Sequence, residues 1–219
     1  MEGRHRPRHS IRERSHGLRD LVVLAADRSI EATIRGLLSR PRAVGIRPVE
    51  FDIFTHSRRD PGCFRQAHEF LGSLLGLYRH ALVIFDRAGS GSRAAATDME
   101  SQVRALLDSR GWEGAADVVV IDPELEVWVW SDSPKVDEAP HWTGQRPPLR
   151  KWIRDRGLWP AGQPKPGDPK GAVEIALREV RIPSSSSIFL RLAQSVSVER
   201  CTDPAFGRLR NRLHSWFPA

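Results

Sequence analysis

The sequence predicts an α/β fold: an open parallel sheet of about four strands flanked by helices, followed by a mainly helical C-terminal extension. Three observations carry this prediction. Short, almost unbroken apolar runs alternate with stretches whose apolar residues recur at helical spacing. Such runs suit strands buried on both faces, as in parallel sheets covered by helices. Three of the four runs end in an acid, at Asp27, Asp86 and Asp122. Right-handed crossovers keep the C-terminal ends of parallel strands on one edge, where open sheets bind ligands.

The elements follow in order. DLVVLAAD (20–27) is the first strand. RSIEATIRGLLSR (28–40) sets Ile30, Ile34, Leu37 and Leu38 at helical spacing, and Pro41 and Gly45 break the helix. VEFDIFTH (49–56) alternates Val49, Phe51, Ile53 and Thr55 on one face, which is the strand period. SRRDPG reads as a turn, and CFRQAHEFLGSLLGLYRH (63–80) as an amphipathic helix despite its glycines. ALVIFD (81–86) is the third strand, RAAATDMESQVRALLDSRG (93–111) a helix closed by Gly111, and ADVVVID (116–122) a fourth strand stopped by Pro123.

The second half changes character. Pro123 to Trp130 suits a short helix with proline in its first turn and acids near its N-terminus. Val127, Trp128 and Val129 also allow a fifth strand. A Pro/Gly-rich stretch runs from about 133 to 170, with a helix expected near PPLRKWIRDRG. Three more helices are expected. One starts at Asp168 (168–181), one buries Ile188, Leu190, Leu192 and Ala193 in part (184–196), and one opens with the N-cap Asp203 and Pro204 (203–217). The chain divides into a basic disordered tail (1–18), an α/β domain (19–132) and a helical extension packed on it (133–219).

Bulk properties narrow the function classes. Hydrophobic residues make up 40% and charged residues 28%, as in soluble globular chains. No run of eighteen apolar residues and no apolar leader appear, so the expected location is cytoplasmic, with no membrane partner. Cys63 and Cys201 stand far apart, which argues against a disulfide framework or a zinc cluster. The net charge of +7 invites a nucleic-acid reading, but residues 1–19 hold six arginines against two glutamates and so supply +4 of it. No P-loop, GxSxG elbow, HExxH motif or complete dinucleotide fingerprint is present, which weakens the case for a small-molecule enzyme.

The chemistry expected is that of carboxylates at a sheet edge. Clustered carboxylates are hard oxygen donors suited to Mg²⁺, which can bridge to phosphate and position a hydrolytic water. Asp86, Glu31, Glu124 and Glu126 are the candidate metal ligands, and Asp86, Glu126 and Asp27 the candidate catalytic acids. Asp27 and Asp122 equally suit helix N-caps, and Glu124 a helix dipole. Arg58 and Arg59, after the second strand with His56 and His68, are candidate phosphate ligands, or else part of a solvated turn. KPGDPK offers Lys165 and Lys170 for the same purpose, with Lys170 the candidate phosphate ligand. Trp128 and Trp130 suit the core better than a base-stacking platform.

LVVLAAD with Glu31, VIFDRAGSG and VVVIDPELEVW together resemble the Toprim-like superfamily, with its Rossmann-like sheet. More narrowly, DPGC, PELEVWVWSDSP and the terminal RCTDPAF and WFP resemble the small Toprim-like component of the methylation-associated anti-phage defence system, from about residue 18 to the C-terminus. The resemblance implies a Mg²⁺-dependent nuclease subunit of a bacterial multi-gene defence locus, with other proteins of that locus and nucleic acid as partners. The alternative is a non-catalytic nucleic-acid- or partner-binding module of the same complex. Two positions depart from the family pattern. Asp27 stands where a glutamate is usual after the first strand, and Ala88 where the second acid of the third-strand pair belongs. An alanine binds no metal, so either Glu124 or Glu126 substitutes, or the site has become a binding surface.

Overall fold

The computed structural model describes residues 17–137, 142 and 144–219. The basic tail expected at 1–18 therefore lies almost wholly outside the described residues. Four strands form one all-parallel sheet in the order β2-β1-β3-β4. They are β1 (Arg19–Ala25), β2 (Phe51–Thr55), β3 (Tyr78–Asp86) and β4 (Ala116–Ile121). Leu21–Ala25, Ala81–Phe85 and Val118–Ile121 are essentially inaccessible to solvent, as the unbroken apolar runs require. β2 is an edge strand and is only half-buried.

Helices α1 (Arg28–Leu38), α3 (Arg59–Gly72) and α4 (Ala96–Leu107) connect the strands, and the short α2 (Pro41–Val44) follows α1. With this strand order, right-handed crossovers place α1 on one face and α3 and α4 on the other. Consistently, α3 packs on α4. α1 alone covers only the β1–β2 side of its face. The remaining helices are α5 (Glu126–Val129) and, in the C-terminal extension, α6 (Leu149–Asp155), α7 (Pro169–Glu179), α8 (Ser186–Ser195) and α9 (Pro204–Trp216). α8 packs on α1 and α9 on β4, and one hydrophobic core runs through both halves. The alternative fifth strand is absent among the described residues, and Glu126–Val129 is helical.

α8 approaches α1 at Gly36, where an added Cβ would sit 2.7 Å from Ala193 Cβ and 2.9 Å from the Leu190 carbonyl. Gly36→Val is therefore expected to push the two helices apart and cost about 1–3 kcal/mol, read as a lower urea midpoint. An unchanged midpoint would show that the two helices are loosely packed there.

β4 is the other edge strand, and its free amides are covered by acids. Val118 N–H donates to Asp117 Oδ1 (2.9 Å), and Val120 N–H to Glu100 Oε1 (2.9 Å). Arg104 on α4 and Arg212 on α9 both bind Asp117, and Arg208 binds Glu100 (2.8 Å). These buried carboxylates stop the edge from pairing with another chain and fasten α9 to the sheet.

Two sequence expectations need correction. The SRRDPG turn is in fact the first turn of α3, where Pro61 loses no hydrogen bond because first-turn amides have no intrahelical partner. That helix also ends at Gly72, not at residue 80. Gly76 turns the chain at φ +82°, leaving Leu75 and Leu77 exposed, and Tyr78 already belongs to β3. Mixed apolar residues in 73–80 match either period, so local pattern could not choose between them.

Candidate functional site

From β1 the chain crosses to β2 on one side, then returns to β3 on the other. The C-terminal ends of β1 and β3 therefore flank the point at which the winding reverses, where open α/β sheets form a ligand crevice. Their register pairs Ala25 with Ile84. Asp27 and Asp86, each two residues further on, leave the sheet at the same level.

Asp86 is the centre of the group. Its Oδ1 is buried and has no hydrogen-bond partner. Its carboxyl is pushed well above the usual carboxylate range, first by burial and next by the Asp60 charge. The Leu125 amide opposes the shift, and Glu126 and Asp27 add to it. Behind β4 the chain folds back over this tip. Arg87 N–H donates to the Ile121 carbonyl (2.8 Å), Ala88 N–H to the Pro123 carbonyl (3.0 Å), and Arg87 Nε to Asp122 (2.7 Å). Glu124 and Glu126 follow, and one oxygen from each lies with one from Asp86 within a mutual 4.8 Å. Burial also raises Glu126; Lys170 opposes the shift, while Glu124 and Asp27 add to it. Lys170 Nζ lies 3.0 Å from Glu124 Oε2.

The structure therefore gathers Asp86, Glu124, Glu126 and Lys170, with Asp27 close enough for its charge to be felt. Asp27 is also the N-cap of α1, accepting from Ser29 N–H (2.8 Å) and Ile30 N–H (2.9 Å). Glu31 does not join the three-acid group; it pairs with Arg35 one turn along α1 (2.9 Å). Asp122 pairs with Arg87 and caps no helix. Arg58 extends along α3 to Gln66 Oε1 (3.4 Å), whereas Arg59 faces the same cleft as Asp27. His68 lies 4.0 Å from Glu69 on α3. Lys165 does not reach the acids; it binds Asp203 (3.1 Å). Trp128 and Trp130 are buried, as expected, and donate to Asp203 Oδ1 and the Pro169 carbonyl (both 3.0 Å).

Sequence reasoning missed Asp60. Its Oδ1 accepts the Asp86 N–H (2.8 Å), and burial raises its carboxyl. Its Oδ2 lies where it would clash with a Cβ on residue 89, so only Gly89 lets it approach the strand tip. Ala88 is exposed and begins a 3₁₀ turn (Ala88–Ser90). Asp60 thus brings a further carboxyl from α3 to the tip of β3. An acid in the first turn after an edge-ending strand was the available signal, and the neighbouring Pro-Gly masked it.

Asp27, Asp60, Asp86, Glu124 and Glu126 crowd one edge, with Lys170 as the cation paired among them. Burial and mutual repulsion disfavour their charges. A divalent cation relieves both, and carboxylate oxygens are the donors Mg²⁺ takes. The unpartnered buried oxygen of Asp86 fits such an ion. Comparison with known proteins finds no matching family model, curated protein or solved structure. No helix among the described residues is long and apolar enough to cross a membrane.

Proposed function

We propose that this chain is a Mg²⁺-dependent phosphodiester-cleaving subunit that serves a bacterial anti-phage defence locus. One observation carries the chemistry: the Asp86–Glu124–Glu126 group at the winding reversal, in which Asp86 also has a buried, unpartnered Oδ1. The defence setting is supported by the Toprim-like strand tips and the tryptophan-bearing segment after β4.

Asp86, Glu124 and Glu126 would hold the ion, which when bound supplies Lewis acidity toward a phosphate oxygen and an activated water. Asp60 fixes the Asp86 backbone and so the position of that carboxylate. Burial raises the Glu126 carboxyl, so an ion bound there would displace a proton held more tightly than usual. Lys170, 3.0 Å from Glu124, would be the cation available to a phosphate bound there.

The test is cleavage of single- and double-stranded nucleic acid with Mg²⁺ or Mn²⁺. Glu126→Gln is expected to lower the rate about 100-fold or more, since even groups behind metal ligands cost 10–100-fold. Undiminished cleavage by this variant would sink the assignment. One observation favours a second reading, a non-catalytic nucleic-acid- or partner-binding module: position 88 lacks an acid, and Lys170 already neutralises Glu124. That reading expects no divalent-dependent cleavage by the wild type and stable co-purification with other locus proteins.

A further inference from the structure

Beside the acids lies an open cleft of about 490 Å³. Three separate parts of the chain line it: Arg28 at the start of α1, His56 and Arg59 at the β2–α3 junction, and Ser184–Ser186 at the start of α8. Arg28 and Arg59 are exposed and make no ion pair among the described residues. Arg59 holds a left-handed backbone, φ +50°, which is unfavourable for an arginine. The His56 ring lies against the first turn of α3, where only Gly62 leaves room for it, and His56 Nδ1 accepts the Arg58 N–H (3.1 Å). Burial, then the Arg58 charge, lowers its pKa, so the neutral ring carries its proton on Nε2 as a donor.

The two helices that open into the cleft differ. α1 carries its own anion, Asp27, on its first-turn amides. α8 has none: the side chain of its N-cap Ser185 makes no bond to the helix amides, and its hydroxyl meets Ser187 Oγ instead (2.8 Å), while the Ser185 carbonyl accepts the Ile188 N–H (3.1 Å) and leaves the Ser186 and Ser187 amides open. Among the described residues no Phe, Tyr or Trp lines the cleft, so it is not a base-stacking platform of the usual kind. Guanidinium forks, hydroxyls, an imidazole N–H and free helix amides are phosphate ligands. Asp27 both lines this cleft and acts on Asp86 and Glu126, so the cleft and the acid group adjoin.

We propose that this cleft anchors one phosphate of a nucleic-acid strand whose neighbouring phosphate lies at the Asp86–Glu124–Glu126 group. That the ligand is nucleic acid rests on the proposed phosphodiester cleavage. The charges of the cleft act without a metal. The C-terminal extension thereby contributes directly to substrate binding, through the start of α8.

The experiment uses the full chain in EDTA and a 3′-labelled DNA single strand of about 12 nucleotides, followed by fluorescence anisotropy at several salt concentrations. Arg28→Ala with Arg59→Gly is expected to weaken binding about tenfold. It should also flatten the logarithmic salt dependence by about 0.7 for each phosphate no longer neutralised. Glycine suits the backbone at position 59, so the variant keeps its fold. Ser185→Asp puts a carboxylate on the free amides of α8. It is expected to hold or raise the melting temperature, because aspartate is a good N-cap, while lowering affinity. That combination would not arise from a merely structural role.

A strand with a 5′-phosphate is compared with one lacking it. Preference for the phosphorylated strand assigns the cleft to a terminal monoester, and equal binding assigns it to a backbone diester; both support the proposal. Wild-type affinity in both variants, or no binding by the wild type, overturns it. Mn²⁺ calorimetry on the same preparations separates the two ideas. Loss of strand binding in the variants with no Mn²⁺ uptake by the wild type would leave the cleft standing and remove the metal site. Mn²⁺ uptake with undiminished strand binding would do the reverse.

Discussion

Asp86→Asn is expected to abolish divalent-cation binding and, in the same protein, to raise the melting temperature without metal. Both effects come from one buried carboxyl. Burial comes first among the causes that raise it, followed by Asp60, Glu126 and Asp27; the Leu125 amide opposes them, and Lys170 is the nearby cation. A carboxyl raised in the folded state holds its proton more tightly there than in the unfolded chain. The metal-free fold therefore loses stability as pH rises from the unfolded carboxylate range through the raised value, and recovers it as pH falls.

Asparagine keeps an oxygen for the Leu125 amide, adds donors toward the neighbouring carboxylates and never ionises. A gain of about 0.5–2 kcal/mol is expected near neutral pH, with about 2–4 °C in melting temperature per kcal/mol. The gap between variant and wild type should widen as pH rises from the unfolded carboxylate range through the raised value. Metal reverses the order. An ion at 100 times its dissociation constant stabilises the wild type by about 2.7 kcal/mol, and the variant by nothing. Because ligands must be deprotonated to bind, metal affinity should rise with pH over the same range and binding should release protons. Calorimetry in two buffers of different ionisation enthalpy measures that release. Equal Mn²⁺ binding by both proteins, or a variant that melts lower without metal, would show that Asp86 is not the centre of an ion site.

The second large effect lies far from the acids in sequence. Asp203→Ala is expected to cost about 3–5 kcal/mol. Asp203 is 7% exposed. Its Oδ1 accepts from Trp128 Nε1 (3.0 Å), Ala205 N–H (3.0 Å) and Phe206 N–H (3.3 Å), and its Oδ2 meets Lys165 Nζ (3.1 Å). Alanine removes the cap of α9, strands a buried indole N–H and leaves the shielded Lys165 charge without its partner. Urea unfolding should show a lower midpoint at unchanged slope. Asp203→Asn keeps an oxygen for the cap and the indole, so its loss should be smaller. Adding Lys165→Met to Asp203→Ala should recover part of the stability, because no partly buried ammonium is then left without a counter-charge. A cost below about 1 kcal/mol for Asp203→Ala would show that the cap and the ion pair act weakly. Trp128 follows Glu126 within α5, so the same variant tests whether the extension holds the acid loop in place.

Much of this was legible in the sequence because it is local. Unbroken apolar runs at 21–25 and 81–85 specify strands buried on both faces, and the acids after them fall on one edge of any parallel sheet. Asp27, Asp168 and Asp203 read as N-caps because a cap needs only its own helix, and all three cap as expected. The pairing of Asp86 with Glu124 and Glu126 followed from a short connection after the neighbouring strand.

Other features depended on partners that no local pattern names. Glu31 has helical spacing from Asp27, yet Arg35 takes it, and side-chain reach decides that competition. Lys165 and Lys170 look alike in sequence, but one lies beside Asp203 and the other beside Glu124. Asp60 reaches the strand tip only because residue 89, 29 positions on, has no Cβ. Glu100 and Asp117 are buried acids without catalytic meaning, since they satisfy the edge amides of β4. The sequence alone determined the sheet, its acidic edge and the three aspartate-capped helix starts, because backbone periodicity and capping act over a few residues. Tertiary structure alone decided which charges meet, because burial and pairing of a charge depend on elements far apart in the chain.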